Sequence, residues 1–269
     1  MHSSPPTAAP ALSERADRLR ALLRLAGDAS SAWFGRDPVA RRKEDDTLVT
    51  AADLAAEAAL VTGLSAWYPE DGLLSEESPP REGHSGAWWV VDPLDGTHAF
   101  TEGLAHWGPT VARVWREGPS PRLDLGATWL PRLGEHYHVE GGRAWFNGEL
   151  LPPLGPPRAV VYVPSGFPRR FTLAHACKAR NLGGTAAHLA LVARGAAGAV
   201  IVGPGWRLWD TVVGVGLIEA VGGRAVRLPD RRPIDLFRDE GQPFVAGSPE
   251  TVDELALPGR IVPVPMERS

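Results

Sequence analysis

The chain has 269 residues, 43% hydrophobic and 22% charged, enough for one large domain or two small ones, and this composition excludes a disordered or fibrous protein. Its 28 Lys and Arg stand against 32 Asp and Glu, a net charge of −4, and the arginines are scattered, so a nucleic-acid partner is not expected. The single Cys177 allows no internal disulfide and no CxxC site, and no signal-peptide core or membrane-length apolar run occurs, so the expected setting is cytoplasmic, away from membranes.

Residues 1–12, rich in Ser, Pro and Ala, read as a disordered tail. Ser13 is a plausible N-cap for a first helix with Ala16, Leu19, Leu22, Leu23 and Ala26 at helical spacing. Thr50 and Asp53 form a capping-box pattern at the start of a second helix. The apolar run at residues 87–91 reads as a buried strand that stops in a turn at Asp92-Pro93. Strand-like segments over residues 109–115, 123–129 and 135–139 follow without helical spacing, which suggests an antiparallel sheet.

PPLGPP at residues 152–157 is the best boundary, giving an N-terminal α+β lobe over 13–151 and a C-terminal α/β lobe over 152–269. Beyond it the pattern alternates: strand 159–163, helix 171–179, helix 185–194, strand 199–202, helix 211–221, strand 244–246, and a helix from Pro249.

Acidic groups stand where these elements meet: Asp53, Glu76 with Glu77, Asp92 with Asp95, and Asp210. Each has an ordinary reading. Asp53 completes a capping box, Asp210 suits the N-cap of the helix that follows it, Glu76-Glu77 suits a charged loop, and Asp-Pro and Asp-Gly are common turn dipeptides. Together they have the chemistry of a hard divalent cation site, which requires several oxygen ligands. In DPLDGT, residues 92–97, two carboxylates three residues apart can face one point, with the Leu94 carbonyl as a neutral ligand. Gly96 permits close backbone approach, and a helical turn opened by Thr97 would offer N–H groups to a phosphate.

These segments resemble the inositol monophosphatase-like, lithium-sensitive, Mg²⁺-dependent phosphatases. That family's D-x-x-V-T-x-A-D, E-E-S, D-P-[IL]-D-G-T-x-x-F and W-D…E-A-G-G motifs occur here in order as DTLVTAAD (46–53), EES (76–78), DPLDGTHAF (92–100) and WDTVVGVGLIEAVGG (209–223). The resemblance implies a layered α/β/α/β/α sandwich of the inositol monophosphatase and fructose-1,6-bisphosphatase type, a metal site between two lobes, and a homodimer. It implies hydrolysis of a small phosphorylated metabolite, with Glu76, Asp92 and the Leu94 carbonyl on one Mg²⁺ and Asp92, Asp95 and Asp210 on a second. Glu77 would serve a weaker third metal. Asp53 and Thr97 would activate water, with Glu76 also in the catalytic set, while Gly96 and Thr97 would bind phosphate and Lys43 would reach its side of the site.

Departures from the family pattern bear on substrate. Ala99 stands where Asn is frequent, Gly198 where Asp is usual, and Gly203 where inositol-handling members carry an acidic residue that reads hydroxyls. His98, Thr185 and Arg207 are candidate substrate contacts. A histidinol-phosphate phosphatase, a 3′(2′),5′-bisphosphate nucleotidase and a non-catalytic metal or ligand scaffold are the alternatives. His136 and His138 are expected on the solvent face of a strand, His188 in the core, and Trp88, Trp89, Trp129 and Trp145 in the core. HExxH, GxxxxGK[ST] and a GxGxxG after a strand are absent, which argues against zinc-protease, kinase and dehydrogenase readings.

Overall fold

Ser13 caps α1 (Glu14–Ser31), its hydroxyl accepting the Ala16 N–H at 3.2 Å. The computed structural model describes residues 13–36, 41–42, 48–116, 121–228 and 230–264; the tail over residues 1–12 and Lys43 lie outside them. A short antiparallel pair, β1 (Arg41–Arg42) and β2 (Leu48–Val49), leads into α2 (Ala51–Trp67). Helices α1 and α2 pack closely: a Cβ on Gly63 of α2 would stand 2.6 Å from Leu22 of α1.

Seven strands then lie side by side in chain order: β3 (Gly72–Ser75), β4 (Ala87–Asp95), β5 (Gly108–Trp115), β6 (Arg122–Leu130), β7 (Glu135–Glu140), β8 (Arg143–Phe146) and β9 (Glu149–Leu150). Only the β3–β4 pair is parallel. The short helix α3 (Thr97–Thr101) joins β4 to β5. Trp89 and Val91 of β4 pack beneath α1 and α2, whereas Val90 faces the opposite core. With both faces covered, the strand reads as a continuous apolar run rather than an alternation.

The strand does not stop at Asp92. It runs on to Asp95, with Asp92 opposite Thr110 and Asp95 opposite Gly108, so one extra residue bulges from β4. Pro93 has no N–H to give the ladder, so the chain accommodates it in a bulge instead of the expected turn.

The later elements are β10 (Val160–Tyr162), α4 (Phe167–Arg170), β11 (Phe171–Leu173), β12 (Lys178–Arg180), α5 (Thr185–Ala193), β13 (Ala199–Val202) and α6 (Leu208–Ala220). They end with β14 (Arg224–Arg227), β15 (Phe244–Gly247), α7 (Pro249–Leu255) and β16 (Ile261–Pro263). Five of these strands form a second sheet in the order β12-β10-β13-β15-β14. The helix expected over residues 171–179 is absent. Phe171–Leu173 instead pairs antiparallel with β16, and Lys178–Arg180 pairs parallel with β10.

Helices α5 and α6 fill the space between the sheets through Leu189, Val212, Val213 and Leu217, which pack in one core with Phe244 of β15. Val161, Ile201 and Val245 on the outer face of the second sheet pack with Val252 and Leu255 of α7. The result is a five-layer α/β/α/β/α sandwich, the architecture expected. Burying these apolar faces on both sides of each sheet supplies the main stabilisation, at about 25 cal/mol per Å² of apolar area. The four tryptophans expected in the core and His188 are buried.

The solvent-face expectation for His136 and His138 is wrong: both are 0% exposed. They share the face of β7 beneath α1, their rings stacked with centroids 6.4 Å apart, while Tyr137 between them faces the central core. Among the described residues no ring nitrogen of either lies within hydrogen-bond distance of a partner; His138 Nε2 stands 3.6 Å from Glu140. Arg15 and Asp17 of α1 and Glu140 act on His138, and Arg20 and Arg24 of α1 act on His136. Burial, the largest cause, holds His136 down to about 3 and His138 down to about 4. The unfolded chain binds these protons near pH 6.5, so the contribution to stability is complete above that pH and lost as pH falls toward the folded values. Stability should fall by about 1.4 kcal/mol per pH unit for each ring below pH 6. Urea denaturation at pH 7.5, 6.0 and 5.0 measures the whole slope, to which buried His188, held down to about 3, adds in the same direction and the raised site carboxylates in the opposite one. His136→Leu should change it by one ring's share, about 1.4 kcal/mol per pH unit, and an unchanged slope would assign the acid sensitivity elsewhere.

Candidate metal centre

Three structural devices position the acidic groups at and behind one cleft. The first is the capping box of α2. Asp53 Oδ2 accepts the Thr50 N–H at 2.8 Å and the Thr50 hydroxyl at 2.5 Å. The other oxygen, Oδ1, accepts the Thr97 hydroxyl at 3.0 Å. Asp53 thus closes the capping box with one carboxylate oxygen and meets Thr97 with the other.

The second device is the bulge in β4. Asp92 Oδ1 accepts the Leu94 N–H at 2.9 Å, and the Leu94 carbonyl lies 3.3 Å from the Thr97 hydroxyl. Gly96 follows with φ +88, a left-handed conformation that favours glycine, and opens α3. Beneath this corner Phe100 and Trp107 meet edge to face with centroids 4.8 Å apart, and they pack with Ala52 and Leu94.

The third device is the convergence of α5 and α6. Asp95 caps α5 from a distant strand: Oδ1 accepts the Thr185 N–H at 3.0 Å, and Oδ2 accepts the Ala186 and Ala187 N–H groups at 2.9 and 3.3 Å. A Cβ on Gly184 would lie 2.0 Å from Asp95 Oδ2, so only glycine admits the carboxylate here. Asp210 is the third residue of α6 and not its N-cap, because the helix starts at Leu208. Its Oδ2 accepts the Arg207 N–H at 2.7 Å. The two helices approach so closely that a Cβ on Gly214 would sit 2.2 Å from that of Leu189.

Asp92, Asp95 and Asp210 each bring a carboxylate oxygen within 4.8 Å of the others. Asp92 is 2% exposed and Asp95 5%. Burial, then the charges of Glu76, Asp95 and Asp210, push Asp92 well above the usual carboxylate range. Burial pushes Asp95 up to about 7 against the pull of its three N–H donors, and also raises Asp210 and Asp53. Asp92, Asp95 and Asp210 line a cleft of about 420 Å³ that also contains Glu76, Leu94, Gly96, Thr97, His98 and Thr185, with Asp53 behind Thr97. Among its described lining residues there is no Lys or Arg. Buried carboxylates that repel one another, with no Lys or Arg among the described lining residues, fit a divalent metal.

Arg207 does not line the cleft. Its side chain is 60% exposed and lies 3.5 Å from Glu240. Glu77 lies beside Glu76 in the loop after β3. The sequence reading did not single out Glu102, Ser165, Asn181 or Gly184, all of which line the cleft. Asn181 is anchored by its amide to the Val163 carbonyl at 2.9 Å and to Ser165 at 3.2 Å. Only the Gly183-Gly184 pair beside Thr185 carried a local signal. Gly184→Ala should force Asp95 away from α5, lowering Tm by several degrees and weakening Mg²⁺ binding at least about tenfold. Thermal denaturation and calorimetric titration check it, and wild-type values in both would mean that the close approach is not needed.

A model of the inositol monophosphatase family matches residues 12–256. Inositol-1-monophosphatase ImpA of Mycolicibacterium smegmatis is 32% identical over 217 residues, 73% of this chain and 76% of that protein. A histidinol-phosphatase of Chlorobaculum parvum is 39% identical over 129 residues, 47% of this chain and 48% of that protein. The 3′(2′),5′-bisphosphate nucleotidase CysQ of Salmonella typhimurium is 37% identical over 129 residues, 46% and 51% of the two chains. The chain thus spans about half the length of these last two relatives. Among solved structures, the suhB protein of Bartonella henselae superposes with a TM-score of 0.80 at 23% identity, covering 91% of this chain and 97% of that one. The Thermotoga maritima IMPase gives 0.77 at 24% identity over 91% and 96%; both likenesses concern the fold. The chain belongs to the inositol monophosphatase family.

Proposed function

We propose that the protein is a Mg²⁺-dependent phosphatase that hydrolyses a small phosphomonoester with water as the nucleophile. The observation that carries this reading is the group of Asp92, Asp95 and Asp210, with oxygens within 4.8 Å of one another, in a cleft beside the Thr97–Asp53 hydrogen bond. The relatives' names add support, since a monophosphatase, a histidinol-phosphatase and a bisphosphate nucleotidase differ in the alcohol but share a phosphate.

Glu76, Asp92 and the Leu94 carbonyl would hold one Mg²⁺, and Asp92, Asp95 and Asp210 a second, with Glu77 serving a weaker third. Bound there, the metal supplies neutralisation of phosphate charge and a more acidic water. The Thr97 hydroxyl donates a hydrogen bond to Asp53 Oδ1, which leaves a lone pair on Thr97 Oγ1 to accept a hydrogen bond from the attacking water and aim it at phosphorus. As the water attacks, its proton passes to Thr97 Oγ1 while the Thr97 proton passes to Asp53 Oδ1, so that Asp53 gains one proton in all. The Gly96 and Thr97 N–H groups would meet the phosphate oxygens, and His98 and Thr185, which line the cleft, would lie toward the alcohol. The proposal extends to a cytoplasmic homodimer built of two-lobed chains, with a boundary near residue 152. No helix among the described residues is long and apolar enough to cross a membrane.

Phosphate release from inositol 1-phosphate, histidinol phosphate, fructose 1,6-bisphosphate and adenosine 3′,5′-bisphosphate, with and without Mg²⁺, tests the activity. Metal-dependent release supports it, and silence across the panel while Mg²⁺ still binds favours a non-catalytic scaffold. Thr97→Ala should lower kcat by about 10²–10⁴ while the Mg²⁺ dissociation constant stays within about threefold. Loss of both together would make Thr97 a structural residue only.

A further inference from the structure

Beside the metal cleft lies a second pocket of about 260 Å³, and the two share Thr185 and Asp210. Its walls include Phe167, Phe171, Trp206 and Val202. These walls are fixed: Phe167 and Phe171 pack with centroids 5.6 Å apart, and Trp206 meets Phe244 edge to face at 5.4 Å. Two donors along the wall are already taken, the Trp206 indole N–H by the Gln242 carbonyl at 2.6 Å and the Gly205 N–H by the Gly241 carbonyl at 2.9 Å.

Gly203 stands on the same wall, and a Cβ there would meet only Pro164, at 3.3 Å. A side chain at this position would extend into the pocket, and the glycine leaves that volume open without adding a polar group. Away from Thr185 and Asp210, which the two pockets share, hydroxyls brought against such a wall give up water without a replacement, which disfavours a polyol, whereas the faces of a planar ring give up less and gain contact with aromatic side chains. A second phosphate has no described Lys or Arg on either pocket's lining, and the side chain of Arg207 is directed to Glu240.

We infer that the preferred substrate is a singly phosphorylated alcohol carrying an aromatic or heteroaromatic ring, with the ring seated in the Phe167–Phe171–Trp206 pocket and the phosphate in the metal cleft. This rests on the phosphatase reading above. The pocket's contribution is to specificity, so it is read in kcat/KM.

With Mg²⁺ saturating, kcat/KM is compared for 2-phenylethyl phosphate, histidinol phosphate, inositol 1-phosphate, adenosine 3′,5′-bisphosphate and glycerol 2-phosphate, the last too small to reach the pocket. The two singly phosphorylated ring esters should exceed inositol 1-phosphate and the bisphosphate by at least about tenfold. Turnover with inositol 1-phosphate or the bisphosphate equal or preferred overturns the ring assignment alone. No turnover of any ester overturns the phosphatase reading and this inference with it. Gly203→Leu, which fills the pocket, should lower kcat/KM for 2-phenylethyl phosphate at least about tenfold while leaving glycerol 2-phosphate within about twofold. Equal change on both esters would overturn the inference.

Discussion

Carboxylates held together away from water repel one another, and each resists ionisation, unless a cation lies among them. Asp92 and Asp95 are nearly inaccessible, Asp210 lies beside them, and the described lining of their cleft holds no Lys or Arg. The surrounding structure must hold this arrangement against its own repulsion. Much of the local geometry follows: a bulge that Pro93 makes unavoidable, a left-handed Gly96, and a strand carboxylate used as the cap of a distant helix.

The same groups serve structure and site at once. Asp53 closes the capping box with one oxygen and holds Thr97 with the other. Asp95 satisfies three N–H groups at the start of α5 while presenting its charge to Asp92 and Asp210. Glycine at 184 and at 214 sets how near α5 comes to the β4 bulge and to α6. Site geometry is thus coupled to backbone packing, which is how rigid elements can hold reacting groups within narrow tolerances.

The strongest sequence signals were local ones. The Thr50–Asp53 box, the Ser13 cap and the helix from Thr185 were legible because each depends on residues within one or two turns. Residues 171–179 misled because their pairing is nonlocal: Thr172 is matched to Val262, far along the chain, and Lys178 to Val160. His136 and His138 misled for another reason. β7 is covered on both faces, by α1 on one and by the central core on the other, so alternation along it could not reveal a wet side. Asn181 and Ser165 reach the cleft through the topology of the second sheet, a relation with no counterpart in spacing along the chain. Of the acidic residues in the motifs, Glu76, Asp92, Asp95 and Asp210 line one cleft, but the aromatic wall beside them comes from α4, β11 and the segment before α6, which no motif links.

Thermal denaturation of the wild-type protein and of Asp92→Asn, each with and without millimolar Mg²⁺, tests the divalent site most directly. Mg²⁺ should raise the wild-type Tm by several degrees and leave Asp92→Asn nearly unmoved, since a ligand that binds only the folded state stabilises it in proportion to its occupancy. A wild-type Tm indifferent to Mg²⁺, or an equal rise in both proteins, would contradict a metal centre at Asp92, Asp95 and Asp210.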